Sequence, residues 1–147
     1  MTGVQTCALP IYVPGEIEYA GKGVSYCAIC DGAFYRGHMI LVVGGGDAAC
    51  EEADFLTRYA EKVYLVHRRD TFRASKVVQQ RAFANPKIEV ITDTVVDEIV
   101  GAEGLMTHAR LRQLKTGEVR DLPATGIFIF VGFKPNTGIL QIGRAHV

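Results

Sequence analysis

Met39-Ile40-Leu41-Val42-Val43-Gly44-Gly45-Gly46-Asp47-Ala48-Ala49 is the stretch whose reading decides the fold. Five apolar residues bounded by glycine read as a strand buried on both faces, the habit of a parallel sheet. Gly44-Gly45-Gly46 makes the turn. From Asp47 to Ala60 the residues Ala49, Ala53, Leu56 and Ala60 recur at helical spacing, and Asp47, Glu51 and Glu52 suit the positive end of a helix dipole. Further on come a second strand at Val63 to Val66, a basic loop, a helix from Ala74 to Ala84 ended by Asn85-Pro86, and a third strand at Ile88 to Ile91. The order β-α-β-α-β predicts a parallel sheet with right-handed crossovers. Beyond Val95 the period becomes strand-like, at Val95 to Val100, Ala109 to Leu114 and Val119 to Leu122, which predicts an antiparallel meander turning at Lys115-Thr116-Gly117-Glu118. Ile127 to Val131 returns as a buried strand.

The chain has 147 residues, 48% hydrophobic and 22% charged, enough for a core without disulfide staples. Sixteen basic side chains balance 16 acidic ones. That balance gives no global attraction to nucleic acid or to an anionic membrane, so neither is expected as a partner. The longest apolar runs are strand-sized, well short of the ~18 residues of a membrane-spanning helix. Four cysteines with no secretory signal point to a reducing compartment, hence a soluble cytoplasmic protein.

The two termini mirror each other at the DNA level. Thr6-Cys7-Ala8-Leu9-Pro10-Ile11 can be encoded by ACG TGT GCT CTT CCG ATC. With the G that ends a CAG codon for Gln5, the reverse complement reads, in frame, ATC GGA AGA GCA CAC GTC. It translates as Ile142-Gly143-Arg144-Ala145-His146-Val147. Residues 1–11 and 142–147 are therefore read as translated sequencing adapter around a gene fragment, residues 12–141, with no function expected of Cys7 or His146.

Gly44-x-Gly46-x-x-Ala49 lies between an expected strand and an expected helix, where a dinucleotide fingerprint must lie. The first glycine permits the tight turn, the second lets backbone approach a pyrophosphate, and the small Ala49 lets helix and strand pack closely. A glycine turn without a ligand is the plainer alternative. NAD-binding folds usually end the second strand with a carboxylate for the ribose 2'-hydroxyl, but here it ends in His67-Arg68-Arg69 with Arg73 close behind. Guanidinium forks match phosphate oxygens, so this loop suits the 2'-phosphate of NADP, with a merely solvated basic loop as the alternative.

Cys27-Ala28-Ile29-Cys30 is a single CxxC. Zinc is disfavoured because only Cys50 and the separated His38, His67 and His108 could complete four ligands, so no metal site is expected. Two thiols three residues apart can close a short-loop disulfide, and Asp31 directly after them could move the proton that exchange requires. A buried, inert cysteine pair remains open. Cys50 reads as a small core residue of the helix that packs on the sheet.

Taken together, these residues resemble the NADPH domain of the low-molecular-weight, bacterial-type thioredoxin reductases. The stretches that carry the resemblance are Cys27-Ala28-Ile29-Cys30-Asp31-Gly32, Val42-Val43-Gly44-Gly45-Gly46-Asp47-Ala48-Ala49, Glu51-Glu52-Ala53, His67-Arg68-Arg69-Asp70-x-Phe72-Arg73-Ala74 and Gly132-x-x-Pro135-Asn136-Thr137. The resemblance implies an α/β fold, a Rossmann-like three-layer nucleotide-binding domain with a parallel sheet plus an antiparallel β-meander. It implies NADPH over Gly44, Gly45, Gly46, Asp47, Ala48 and Ala49, its 2'-phosphate held by His67, Arg68, Arg69 and Arg73. It further implies hydride transfer to FAD, reopening of a Cys27–Cys30 disulfide by the reduced flavin, attack of Cys27 on the disulfide of thioredoxin, and Asp31 as acid or base. The full-length parent is expected to be a homodimer. The FAD domain is expected to be absent from this chain, leaving it incomplete as an enzyme. An alkyl hydroperoxide reductase-type flavoprotein and a non-catalytic NADP-binding or redox-sensing module are the competing expectations.

Overall fold

A computed structural model of the chain describes residues 5–136. Residues 1–4, Thr137 of the last motif and residues 142–147 lie outside the described residues. The elements run β1 (Gln5–Ala8), β2 (Val24–Ser25), α1 (Ala28–Asp31), a 3-10 turn at Gly32–Tyr35, β3 (Met39–Val43), α2 (Asp47–Leu56), β4 (Lys62–Val66) and α3 (Lys76–Ala84). They continue as β5 (Ile88–Ile91), β6 (Thr94–Ala102), β7 (Leu105–Gln113), β8 (Val119–Pro123), β9 (Gly126–Ile129) and β10 (Phe133–Asn136).

Five strands form one sheet in the order β2-β9-β3-β4-β5, every neighbouring pair parallel. β6, β7 and β8 form the antiparallel meander. Alternation along the central strand sorts the layers. Ile40 and Val42 of β3 join Ala49, Cys50, Ala53 and Leu56 of α2 in one apolar cluster. Leu41 between them joins Val96, Ile99, Met106, Ala109 and Leu111 of the meander in the other. Helices, parallel sheet and meander are therefore three stacked layers, as the α/β reading expects. No helix among the described residues is long and apolar enough to cross a membrane.

Boundaries move where backbone hydrogen bonds decide them. The helix expected to reach Ala60 ends as α-helix at Leu56, because Thr57, Arg58 and Tyr59 each donate to the carbonyl three residues back, which tightens the last turn. α3 starts at Lys76 rather than Ala74, since the Ser75 hydroxyl caps it by accepting the Val78 N–H and the Ala74 N–H is used elsewhere. The meander's first hairpin is longer than its apolar pattern suggests. Glu103 and Gly104 have φ of 55° and 80°, the two-residue turn that lets Ala102 pair with Leu105.

Gln5–Ala8, inside the stretch read as adapter, pairs antiparallel with Phe133–Asn136 in a separate two-stranded sheet. Pro135-Asn136 of the last resembling motif thus lies in a strand. Proline is tolerated there because, among the described residues, each strand of the ribbon has one partner and so keeps an open edge where no donor is needed.

Candidate functional site

Both chemical constellations leave the carboxyl edge of the parallel sheet. The chain proceeds from β3 to β4 and β5 on one side and reaches β9 on the other side only later, so the strand order reverses between β3 and β9. Ligand crevices of open α/β sheets form outside the strand ends at such a reversal. A cavity of about 380 Å³ lies there, lined by Val43 and Val66 at the ends of β3 and β4, Gly44 and Gly45, His67, Arg68, Arg69 and Arg73, and Thr94 to Val96 of β6.

The three glycines differ in what they make room for. A Cβ on Gly44, whose φ is +146°, would stand 2.4 Å from the Phe130 carbonyl oxygen and 2.8 Å from Ala49 Cβ, so this turn and the small Ala49 are built together. A Cβ on Gly45 would stand 2.3 Å from the His67 ring. Gly46 caps α2 and is open, the first atom a Cβ would meet being Arg73 Nη2 at 3.9 Å. That opening sits at the start of a helix of 10 residues, where backbone N–H groups face outward. Ala48 is half-buried against the helix-side core.

The basic loop is clasped onto this turn. The Arg73 and Ala74 N–H groups donate to the Gly45 carbonyl at 2.7 and 3.1 Å. Asp47 accepts the Ser75 N–H at 2.8 Å, and Gln79 Nε2 donates to the carbonyls of Phe72 and Ala74. His67 is buried, and its Nε2 lies 3.0 Å from the Thr71 carbonyl. A carbonyl only accepts, so Nε2 carries the proton. Burial holds the imidazole below its ordinary pKa, the Thr71 bond opposes that, and the charges of Arg73, Arg68 and Arg69 add to it. Arg68, Arg69 and Arg73 are exposed, and among the described residues none of the three joins an ion pair.

Of the residues read from sequence for a nucleotide, Gly44, Gly45, His67, Arg68, Arg69 and Arg73 line one crevice, while Gly46, Asp47, Ala48 and Ala49 follow the two glycines into the first turn of α2. Gly46 and the guanidiniums face open space, whereas His67 and Asp47 use polar atoms to hold the loop. Ser75 and Gln79 were missed; Ser75 before an apolar run is a cap signal that could have been read, but Gln79 carries no such signal.

Cys27 and Cys30 follow the end of β2, which is separated from β3 by β9. They are joined as a disulfide with Cα atoms 5.3 Å apart. Cys27 caps the single turn α1, its Sγ accepting the Cys30 N–H at 3.2 Å. Ala28 is buried in the helix-side core, which leaves Ile29 and Cys30 exposed. Beneath them Gly32 lies against Leu56 and Tyr59, where a Cβ would come within 3.0 Å. Asp31 accepts a hydrogen bond from the buried Ser25 hydroxyl at 2.5 Å. Cys50 is fully buried, and burial together with Asp47 and Glu51 pushes its thiol up to about 11, so it is a core residue without reactive thiolate. Among the described residues, no three potential metal ligands lie together.

The family model for the pyridine nucleotide-disulphide oxidoreductases matches residues 2–146. The chain is 51% identical over 129 residues to a thioredoxin reductase of Streptomyces coelicolor and 50% identical over 130 residues to one of Listeria monocytogenes. Each alignment takes in 88% of this chain, but only 40% and 41% of the relative, so the chain spans about two-fifths of their length. Among solved structures it is similar to the thioredoxin reductase of Streptococcus pyogenes, with a TM-score of 0.89 and 50% identity over 93% of this chain and 45% of that one.

Proposed function

Because the chain belongs to the pyridine nucleotide-disulphide oxidoreductase family, we propose that it is the NADPH-binding and redox-disulfide domain of a thioredoxin reductase. One observation carries this reading: the same sheet edge presents a glycine turn beside three guanidiniums that join no ion pair among the described residues, and a disulfide whose Cys30 is exposed. The cavity fits the coenzyme in kind, since Arg68, Arg69 and Arg73 line it beside Gly44 and Gly45, and the position a Cβ would take at Gly46, next along the turn, is open. NADPH, when bound, supplies a hydride.

The chain's own residues bind the coenzyme and carry out the disulfide exchange. Gly44 and Gly46 admit a pyrophosphate to the start of α2. Arg68, Arg69 and Arg73 hold the 2'-phosphate through forked hydrogen bonds, and neutral His67 with Asp47 sets the loop that carries them. The reduced pair acts on thioredoxin by exchange. The Cys27 thiolate attacks one sulfur of the partner's disulfide, and Cys30 then resolves the mixed disulfide. Two electrons and two protons pass to the partner as Cys27–Cys30 re-forms, with Asp31 relaying a proton.

The functional unit is residues 12–141, flanked by adapter-derived tails. In the parent, a homodimer of the cytoplasm, FAD is held by sequence outside this unit. The isolated chain then binds NADPH and exchanges disulfides without passing electrons from one to the other. Titration of the chain with NADPH and NADH tests the coenzyme assignment. Each charge-assisted bond to phosphate is worth about 1.5–3 kcal/mol, so Arg68→Ala with Arg73→Ala should weaken NADPH binding at least ~100-fold while NADH binding changes little. Equal losses for the two coenzymes would overturn the phosphate-clamp reading. Turnover of thioredoxin with NADPH by FAD-free chain would overturn the claim of incompleteness.

A further inference from the structure

We propose that Ser25 is a positioning residue of the disulfide centre, acting through Asp31. The inference deepens the reading of Asp31 as the acid or base of thiol exchange and rests on it.

Ser25 is the last residue of β2, at the edge of the parallel sheet, and is 4% exposed. Its hydroxyl has three polar neighbours. It accepts the Cys27 N–H at 3.1 Å, lies 2.5 Å from Asp31 Oδ2, and lies 3.3 Å from the Cys27 carbonyl. A serine hydroxyl has one proton and two lone pairs, so it can donate to only one of the two oxygens at a time. The 2.5 Å separation is that of an O–H···O⁻ bond, so the proton goes to Asp31 while the carboxylate is ionised. When Asp31 carries a proton, the hydroxyl can accept from it and turn its own proton to the Cys27 carbonyl. The contact thus survives both halves of a proton cycle, which a pure donor such as lysine could not provide.

The same oxygen is tied to the Cys27 backbone, so the hydroxyl links the carboxylate to the first residue of the disulfide loop. α1 is a single turn and leaves the Asp31 side chain few constraints of its own. Ser25 adds one from a strand whose neighbours fix it. Asp31 is thereby held in one orientation beside the cysteines while they change between disulfide and dithiol. In reduction by a dithiol, one of its thiolates attacks a sulfur of Cys27–Cys30 and the other cysteine leaves as a thiolate. The second thiol of the reductant then releases the mixed disulfide. The reductant is oxidised to its own disulfide and the protein gains two electrons and two protons, one of them delivered through Asp31.

The experiment follows reduction of the intact chain by dithiothreitol, quenching with an alkylating agent and weighing the peptide that contains Cys27 and Cys30. Four proteins form a double-mutant cycle: the parent chain, Ser25→Ala, Asp31→Asn and the double variant. Ser25→Ala should slow reduction about tenfold when Asp31 is present and by less than about twofold in the Asp31→Asn background, the pattern of one residue acting through another. Ser25→Thr, which keeps the hydroxyl, should recover most of the rate. An equal slowing by Ser25→Ala in both backgrounds would overturn the inference and leave the role of Asp31 intact. Asp31→Asn reducing at the parent rate would instead remove the acid–base reading itself, and Ser25 would fall with it.

Discussion

The Asp47 carboxylate in the first turn of α2 accepts the N–H of Ser75, 28 residues further on, at 2.8 Å. It thereby joins the glycine turn to the start of α3, and the Gly45 carbonyl repeats the connection by accepting from Arg73 and Ala74. A carboxylate beside an expected pyrophosphate looks out of place electrostatically, and its use as an internal acceptor explains it. Asp47→Ala should weaken NADPH binding about fivefold, the ~1 kcal/mol of one lost hydrogen bond, whereas Asp47→Asn keeps an acceptor oxygen and should stay within about twofold of the parent. Both variants lose the same charge, so their difference isolates the bond. Calorimetric titration giving equal affinities for the two would exclude this clasp.

Gly45 and Gly46 separate folding from binding. At Gly45 a Cβ would overlap the buried His67 ring at 2.3 Å, so Gly45→Ala forces the ring or the turn to move. Overpacking of this kind should lower stability by about 1–3 kcal/mol in denaturant titration. At Gly46 the nearest atom to a Cβ is 3.9 Å away and φ is −92°, which any residue adopts. Gly46→Ala should therefore unfold within about 1 kcal/mol of the parent yet lose most NADPH affinity, because the methyl occupies the space proposed for pyrophosphate. Retention of full affinity by Gly46→Ala would place the coenzyme elsewhere.

Why some of this was legible in the sequence follows from what each residue has to satisfy. Ile40, Leu41 and Val42 are buried on both faces by two layers, so the apolar run Met39–Val43 admits one reading, and its limits match the observed strand. Gly44 and Ala49 show themselves by spacing because one close approach needs both small residues. Tertiary hydrogen bonds leave no local mark of that kind. Nothing in the neighbourhood of Ser25 announces that its hydroxyl meets Asp31, and His67 in a run of arginines reads as one more cation although its ring lies inside, on Gly45. The Glu103-Gly104 turn was missed for a different reason: Leu105 is exposed, so the strand it opens lacks the apolar alternation that marks the rest.

His67 makes stability depend on pH. Its folded pKa lies below the ordinary value of about 6.5, so in acid the unfolded chain binds a proton that the folded chain resists. The stabilisation is fully present above the unfolded value and is lost as pH falls from about 6.5 through the folded pKa. Thermal midpoints of the parent should therefore decline between about pH 7 and pH 5.5, and His67→Gln, which keeps a donor for the Thr71 carbonyl, should flatten that decline. An unchanged slope in His67→Gln would assign the dependence to other groups.

Glu16 and Tyr26 tie the segment entering the domain to the residue before the disulfide. The Glu16 carboxylate, 3% exposed, accepts the N–H groups of Ile11, Tyr12 and Val13 as well as the Tyr26 hydroxyl. Burial, followed by the Glu16 contact and its charge, raises the Tyr26 hydroxyl pKa. Tyr26→Phe deletes one bond to a charged group and should cost about 1.5–3 kcal/mol. Glu16→Ala should cost more, since it strands three N–H groups and the hydroxyl together. The double variant should be less destabilised than the sum, because the shared bond can be lost only once. The raised tyrosine also sets a sign in alkali: its stabilisation is complete below about pH 10 and fades as pH climbs above that, when the unfolded chain ionises first. Tyr26→Phe should remove part of that alkaline loss. Strict additivity of the two substitutions in urea titration, with the alkaline slope unaltered, would show that the carboxylate and the hydroxyl act separately.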